Sequence, residues 1–182
     1  LNSQPHGQGT MTFPNGNRYV GSFVSGKRHG HGVFTWGASS GGSGIDAEVN
    51  RDEEGEGETG VARVGIETYN GQFVANERHG YGVYHATNGD VYEGEFFGGK
   101  KQGEGVLRMA QGDIYRGQFS DSKRSGFGRV EYKTGNSFEG LWVADRRSGK
   151  GKFYWANGDS YEGEYLDDKQ QGEGTLRRSN GD

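Results

Sequence analysis

Short stretches of strict side-chain alternation run along the chain and recur with a fixed period. The string Tyr-x-Gly-x-aromatic starts at Tyr69, Tyr92, Tyr115, Phe138 and Tyr161, every 23 residues, with an earlier copy at Tyr19. Because side chains alternate across a strand, Tyr92, Gly94 and Phe96 belong to one face and Glu93 and Glu95 to the other. The same count in the stretch that follows groups Gly103, Gly105, Leu107 and Met109. Glycines two apart form a second signature at Gly30/Gly32, Gly80/Gly82, Gly103/Gly105, Gly126/Gly128, Gly149/Gly151 and Gly172/Gly174. Between the stretches stand Asn15-Gly16, Asn88-Gly89, Gln111-Gly112, Thr134-Gly135, Asn157-Gly158 and Asn180-Gly181, pairs that accept the positive φ of a tight turn. Each repeat is therefore expected to supply two antiparallel strands, and the chain to be all-β. A helix is excluded, since each buried-face glycine would cost about 1 kcal/mol relative to Ala and no three-to-four-residue apolar stripe survives.

The aromatic and glycine positions of one face have a joint physical reading: a ring lies over the bare backbone of a neighbouring glycine, so a larger residue there overpacks by about 1–3 kcal/mol. Two strands per unit at about 4.8 Å each give roughly 10 Å per repeat and a rod on the order of 60–70 Å. Such a rod suits a spacer or docking strip better than a closed pocket. A single-layer sheet is not expected to bury an aromatic-rich face by itself. The rings Tyr92, Phe96, Phe119, Trp142, Tyr161 and Tyr165 are thus expected contact anchors for partner proteins, with packing against their own glycines as the alternative account.

Tyr69 follows Tyr19 by one period plus 27 residues, and only one His-Gly-x-Gly copy, at His29, lies between. One unit is therefore expected to carry an insertion, residues 38–65, that projects from the sheet edge as an acidic loop. Its seven acidic residues against Arg51 and Arg63 give −5 of the net −4, leaving the remainder near +1. Residues 1–182 are read as one array: a partial repeat 1–18, then repeats starting at 19, 69, 92, 115, 138 and 161. The array begins and ends inside a unit, so a longer parent protein is expected.

Composition narrows the chemistry. Gly supplies 37 of 182 residues, and Leu, Ile, Val and Phe together reach only about 16%, below the usual ~20% for a folded chain. The small net charge of −4, with 10 Tyr and 3 Trp, still argues for a thin folded body rather than disorder. With no Cys, disulfide scaffolds, zinc ribbons, thiol catalysis and iron–sulfur sites are excluded, and a reducing compartment fits. No apolar run approaches the ~18–20 residues of a bilayer-spanning helix. The Gly37–Gly41 string matches a nucleophile elbow but has no strand-to-helix frame. The Gly55–Gly60 string matches a dinucleotide fingerprint, but its glutamates would repel a pyrophosphate. His29/His31 and His79/His85 lack a third ligand, and the pairs Glu93/Glu95 and Glu162/Glu164 recur simply because the repeat does. No catalytic residue, metal or cofactor is expected.

One feature does point to a ligand. Basic pairs at Lys27/Arg28, Lys100/Lys101, Lys123/Arg124 and Arg146/Arg147, with weaker versions at Arg78 and Lys169, are expected in the loops joining hairpins. Stacked there, they would attract inositol phosphates, anionic lipid or an acidic protein surface. Glu77, Asp121, Asp145, Asp167 and Asp168 in the same segments oppose them, and the charge balance does not favour nucleic acid.

Tyr92–Phe96 (Tyr-Glu-Gly-Glu-Phe), Gly99–Gly105 (Gly-Lys-Lys-Gln-Gly-Glu-Gly) and Asn88–Asp90 (Asn-Gly-Asp) together resemble the MORN repeat (membrane occupation and recognition nexus). The resemblance implies an elongated, twisted, single-layer antiparallel sheet. It further implies a non-enzymatic scaffold of the kind found in cilia, radial spokes and cortical cytoskeletons, or an array attached to a lipid kinase, a methyltransferase or a membrane-junction protein. Phe138 in place of Tyr, Ser125 and Ser148 in place of His, and the insertion depart from the pattern, so the units are not expected to bind alike. The resulting expectation is a cytoplasmic scaffold for protein assembly in a cytoskeletal, ciliary or axonemal complex. The alternative is a phosphoinositide or anionic-membrane recognition module. Expected partners are other proteins of an assembly, then anionic lipid or a second copy of the chain.

Overall fold

The computed structural model describes residues 4–37 and 65–181. The acidic insertion up to residue 64 lies outside the described residues, as do the Gly55–Gly60 string and all of the Gly37–Gly41 string after Gly37. A first strand, β1 (Gly7–Thr12), is followed by three hairpins: β2 (Arg18–Val24) with β3 (Lys27–Thr35), β4 (Thr68–Val74) with β5 (Glu77–His85), and β6 (Val91–Phe97) with β7 (Lys100–Arg108). Three more complete the array: β8 (Ile114–Ser120) with β9 (Lys123–Glu131), β10 (Ser137–Val143) with β11 (Arg146–Tyr154), and β12 (Ser160–Leu166) with β13 (Lys169–Arg177). The strands pair in chain order into one antiparallel sheet of 13. The all-β single sheet of hairpins expected from the 23-residue period is the fold found.

Two kinds of turn alternate along it. Within a hairpin the connection is two residues long with both φ positive, as at Ala75/Asn76 (50° and 79°), Asp121/Ser122 (51° and 66°) and Asp167/Asp168 (49° and 70°). This is the type I′ turn, whose twist matches that of the flanking strands. The Asn-Gly pairs sit instead in five-residue loops between hairpins: the Ala86 N–H donates to the Asp90 carbonyl (2.8 Å) and the Gly89 N–H to the Ala86 carbonyl (3.0 Å). Only the glycine of that loop has positive φ, 91° at Gly89, which is a type I turn closed by a glycine bulge. This corrects the expected placing of the basic pairs. Lys27/Arg28, Lys100/Lys101, Lys123/Arg124 and Arg146/Arg147 are not loop residues; they open β3, β7, β9 and β11. Ser25-Gly26, Gly98-Gly99, Asp121-Ser122 and Ala144-Asp145 hold the left-handed turn positions just before them, which a search for Asn-Gly overlooks.

Every strand contributes one glycine to a continuous rail. From Gly9 of β1, through Gly94 of β6 facing Gly105 of β7, to Gly163 of β12 facing Gly174 of β13, each stands opposite the glycine of the next strand. The rings of the repeat lie over this rail on what we call the front face. A methyl group placed on Gly105 would stand 2.5 Å from Tyr92 Cε2, and one on Gly94 would stand 2.7 Å from the Tyr92 hydroxyl. Tyr19, Tyr69, Tyr92, Tyr115 and Phe138 are thereby fully buried although no second layer covers them among the described residues.

Laterally the rings lock to one another. From Phe23 and Tyr19 to Tyr165 and Tyr161, two rings per repeat meet edge-to-face at centroid separations of 4.9–6.0 Å and interplanar angles of 74–89°, the arrangement the ring quadrupoles favour. Within each hairpin the register shifts between the rail glycine and the next ring, as between Gly94 and Phe96. Three residues of β7 there oppose Glu95 alone, which keeps the face parity and lets Gly103 take a φ of 63°. The tyrosine hydroxyl caps this bulge: Tyr19, Tyr69, Tyr92 and Tyr115 each donate at 3.0 Å to the carbonyl three residues on, at Ser22, Gln72, Glu95 and Gln118.

Two stability predictions follow from this packing. Gly105→Ala is expected to destabilise by about 1–3 kcal/mol through overpacking against Tyr92. Gly9→Ala, whose added methyl meets Phe23 at an ordinary 3.4 Å, is expected to stay within about 0.5 kcal/mol. Urea denaturation of the two variants checks this. Phe138→Tyr restores the missing hydroxyl opposite the Leu141 carbonyl and is expected to raise stability by about 0.5–1.5 kcal/mol, read as a higher urea midpoint at unchanged slope.

Candidate interaction surfaces

The structure places the six expected ring anchors in the core instead of on the surface. Tyr92, Phe96, Phe119, Trp142 and Tyr165 are at most 4% exposed, and Tyr161 is half-buried. The expectation that a lone sheet leaves them open fails because each ring is enclosed on its own face. Glycine lies beneath Tyr92 and Tyr161, an edge-on ring stands on either side of every one but Tyr161, and a cation stands over Tyr92, Phe96, Trp142 and Tyr165. The Arg124 guanidinium sits 4.3 Å from the Trp142 ring centroid, Lys101 Nζ 4.9 Å from that of Tyr92, and Arg147 5.4 Å from those of Phe138 and Tyr165.

Those cations are the second members of the basic pairs, and their outward bonds join one repeat to the next. Arg124 donates from its backbone N–H (3.0 Å) and Nε (3.1 Å) to Asp145 Oδ1, and from NH2 to the Asp145 carbonyl (2.9 Å). Arg147 does the same to Asp168, and Arg28 holds Asn76 in the same way. In return the Asp145 N–H donates to the Arg124 carbonyl at 3.0 Å. Lys101, Arg124 and Arg147 are therefore clasps within the fold rather than free contacts for an anion, whereas Arg28 clasps the neutral Asn76 and keeps its charge uncompensated. Burial pushes the pKa of Arg28 and Lys101 down from their ordinary values.

The first members, Lys27, Lys100, Lys123 and Arg146, do point outward. Their partners are the first residues of the next turn. Lys100 pairs with Asp121 (2.7 Å) and Arg146 with Asp167 (3.3 Å), whereas Ala75 and Ala144 stand where those carboxylates would meet Lys27 and Lys123. The open positive charge is thus concentrated away from the C-terminal hairpin, where Arg146/Arg147 meet Asp167/Asp168 in full. Beside these cations the last residue of each first strand except β8, which ends in Ser120, forms an exposed apolar series along the turn edge, with Val74 42%, Phe97 67% and Val143 59% exposed.

A second stitch, which the sequence reading missed, runs along the opposite edge. The residue after each loop glycine turns its side-chain oxygen to a backbone N–H in the following loop: Asp90 to Ala110, Asp113 to Lys133, Asn136 to Ala156 (each 2.9 Å) and Asp159 to Ser179 (2.8 Å). The signal for it was the Asx residue recurring one position after the turn glycine.

Among the described residues the back face is uncovered. Two rows of side chains flank the bare rail. One begins with Val20, Val33 and Val83 and passes into a charged ladder in which Arg129 meets Glu139 (3.3 Å) and Lys152 meets Glu162 (3.8 Å). The other carries the exposed rings Tyr81 and Phe127, at 54% and 59% exposure, together with Leu141. Toward the C-terminal hairpin the rows enclose a shallow trough of about 610 Å³ lined by Phe127, Lys150, Glu164 and the rail glycines. Glu93, accepting from the Tyr81 hydroxyl (2.9 Å), and Glu95, Glu162 and Glu164 belong to this face. Among the described residues no group of three His, Asp or Glu side chains is placed to hold a metal ion.

A family model described as MORN repeat matches residues 1–18, 19–40, 69–91, 92–114, 115–137, 138–160 and 161–182. Among curated proteins the chain is 44% identical over 34 residues to "Inactive protein tyrosine kinase pTKL" of Plasmodium berghei (strain Anka). The matched stretch is 19% of this chain and spans 3% of that relative's length.

Burial raises the pKa of the rail tyrosines, to about 12 for Tyr69, with Tyr19, Tyr92 and Tyr115 shifted the same way. Tyr84, half-buried and donating to Glu67 (2.6 Å), also reaches about 12. Above the ordinary tyrosine value of about 10 the unfolded chain releases protons that the fold retains, so the unfolded state binds fewer and stability falls with rising pH. The expected result is a urea midpoint that is flat near pH 9 and drops steeply between about pH 10 and about pH 12, with tyrosinate absorbance appearing together with loss of the β signal.

Proposed function

Because the chain belongs to the MORN repeat family, we propose that it is a scaffold that assembles other proteins along the back face of its sheet, in the cytoplasm and within a cytoskeletal or ciliary complex. MORN repeats are a non-catalytic module that mediates protein or lipid interaction, and no enzymatic role is proposed. One observation carries the reading. The front face is enclosed by its own rings and cations and both edges are stitched internally, whereas the back face leaves exposed rings and mixed charges beside an uncovered glycine furrow. Exposed aromatic residues at the centre of a polar surface are the usual anchors of a protein contact. The cytoskeletal or ciliary setting draws its support from the kinship with MORN arrays.

A second reading, recognition of an anionic membrane, is favoured by the turn edge. There Val24, Val74, Phe97, Val143 and Leu166 are exposed, and Lys27, Lys100, Arg146 and Lys169 pair with four of them across the hairpins. Lipid-facing apolar side chains interleaved with lysines suit a surface of negative headgroups.

Crosslinking in the source cell, paired with vesicle flotation, separates the two. The expected outcome is that protein crosslinks map to the back face and fall about tenfold in Phe127→Glu, with no flotation on phosphatidylserine or phosphoinositide vesicles. Salt-sensitive flotation abolished by joint Lys27→Glu and Lys123→Glu substitution would replace the scaffold reading with the membrane one.

A further inference from the structure

The clasp between repeats has one empty position. In four junctions a side-chain oxygen of the second turn residue receives the backbone N–H of the inner cation: Asn76 for Arg28 (2.8 Å), Ser122 for Lys101 (3.1 Å), Asp145 for Arg124 and Asp168 for Arg147 (3.0 Å each). At the turn joining β6 to β7 that residue is Gly99, which has no side chain. Arg78 holds its carbonyl through NH2 alone, at 2.7 Å. The φ of Gly99, 78°, matches the 73° of Asp145 and 70° of Asp168, so the turn keeps its shape. A Cβ added to Gly99 would meet nothing within 4 Å. A cavity of about 300 Å³ lies there, lined by Arg28, Arg78, Glu77 and the rings of Phe34, Trp36 and Phe73.

We propose that this slot is a carboxylate-binding site, filled by one Asp or Glu side chain of a partner protein. Asp145 and Asp168 show the chemistry from inside the chain, since one carboxylate oxygen takes both the backbone N–H and the Nε of the arginine. Neither Arg28 nor Arg78 is ion-paired among the described residues. Both guanidiniums are already held over rings, Arg28 at 4.5 Å from Phe34 and Arg78 at 5.1 Å from Tyr84, so little side-chain freedom remains to be lost on binding. Two arginines against Glu77 leave one positive charge at the cavity. A single carboxylate balances it, while a phosphate dianion overshoots and meets Glu77. The ring walls accommodate the methylene stem of an acidic side chain. The site lies on the front face, apart from the back-face rows, and stands independently of the scaffold reading.

The test is an NMR titration of the Arg78 Nε–H and Trp36 indole signals with N-acetyl-glutamate N-methylamide, its glutamine analogue and inorganic phosphate. Saturable shifts are expected with the glutamate compound, with the other two at least about tenfold weaker. Gly99→Asp, which supplies the carboxylate internally, is expected to weaken glutamate binding by about tenfold or more and to raise the melting temperature. Arg78→Met removes the binding as well. The proposal is overturned by equal binding of the glutamine analogue, by phosphate binding as tightly as glutamate, or by a Gly99→Asp protein that binds like the wild type. Binding that appears only after the acidic residues of segment 46–58 are neutralised also overturns it, because the slot is then filled in cis.

Discussion

A ring seated over a bare backbone is the contact on which this molecule depends. A one-layer sheet has nothing to pack against, and hydrophobic burial in most domains comes from opposing two layers. Here the second layer is folded into the first. The side chains of the front face cover the glycines of their own and the adjacent strand, so apolar surface is buried within a single thickness of backbone. A side chain at a rail position directly beneath a ring removes the space the ring occupies, as the 2.5 Å approach at Gly105 shows. Glycine in a strand costs roughly 0.5–1 kcal/mol in chain entropy, but the ring it admits returns about 1.5–3 kcal/mol on full burial. The exchange is favourable wherever a ring follows, which explains why glycine and aromatic positions recur together and not separately.

Around that contact most junctions between repeats are closed at three places: rings in the middle, a cation-to-turn clasp at one edge, and an Asx-to-backbone bond at the other. Since strands pair only with their sequence neighbours, stability is a property of successive junctions, and variation in one leaves the next intact. Exposed pairs such as Lys100–Asp121 contribute about 0–1 kcal/mol, so the uneven pairing along the turn edge does little to hold the fold. Its effect is on the surface field. Charges are compensated in the hairpin of Arg146/Arg147 and uncompensated at Lys27, Arg28 and Arg78, which lets an array of near-identical units differ in what each end attracts.

The strands, their pairing order and the coincidence of rings with glycines were legible in the sequence, because period and alternation determine them directly. The fate of the rings was not. Tyr92 and Trp142 looked exposed on the premise that covering a face requires a second layer, and the cover proved to be Lys101 and Arg124, residues read as loop charges. That misreading has a local cause. Asp121-Ser122 and Ala144-Asp145 form type I′ turns without glycine, so the basic pairs that open the following strands were read as loop residues. Once the turn is placed there, the second residue of every basic pair falls on the ring face and the first on the outside. The Asx stitch at Asp90 and Asp159 was hidden for another reason: its bond reaches across to the next repeat, and only the register reveals the acceptor's partner.

The same accounting decides where a partner can attach. A surface serves recognition only if its groups are not already spent on the fold. The front rings are consumed by the rail, the inner cations by the turns, and the Asx oxygens by the loops. What remains is the back furrow, the outer lysines with their apolar neighbours, and the one clasp that Gly99 leaves incomplete. A long array of this kind offers binding groups at a regular rise with a stiff spine beneath them, and it can change specificity by altering single turn residues without disturbing the rail. Replacing Asp with Gly at one turn converts an internal bond into a vacancy of the same chemistry. Recognition in such a fold is therefore gained by omitting a stitch and not by adding a pocket.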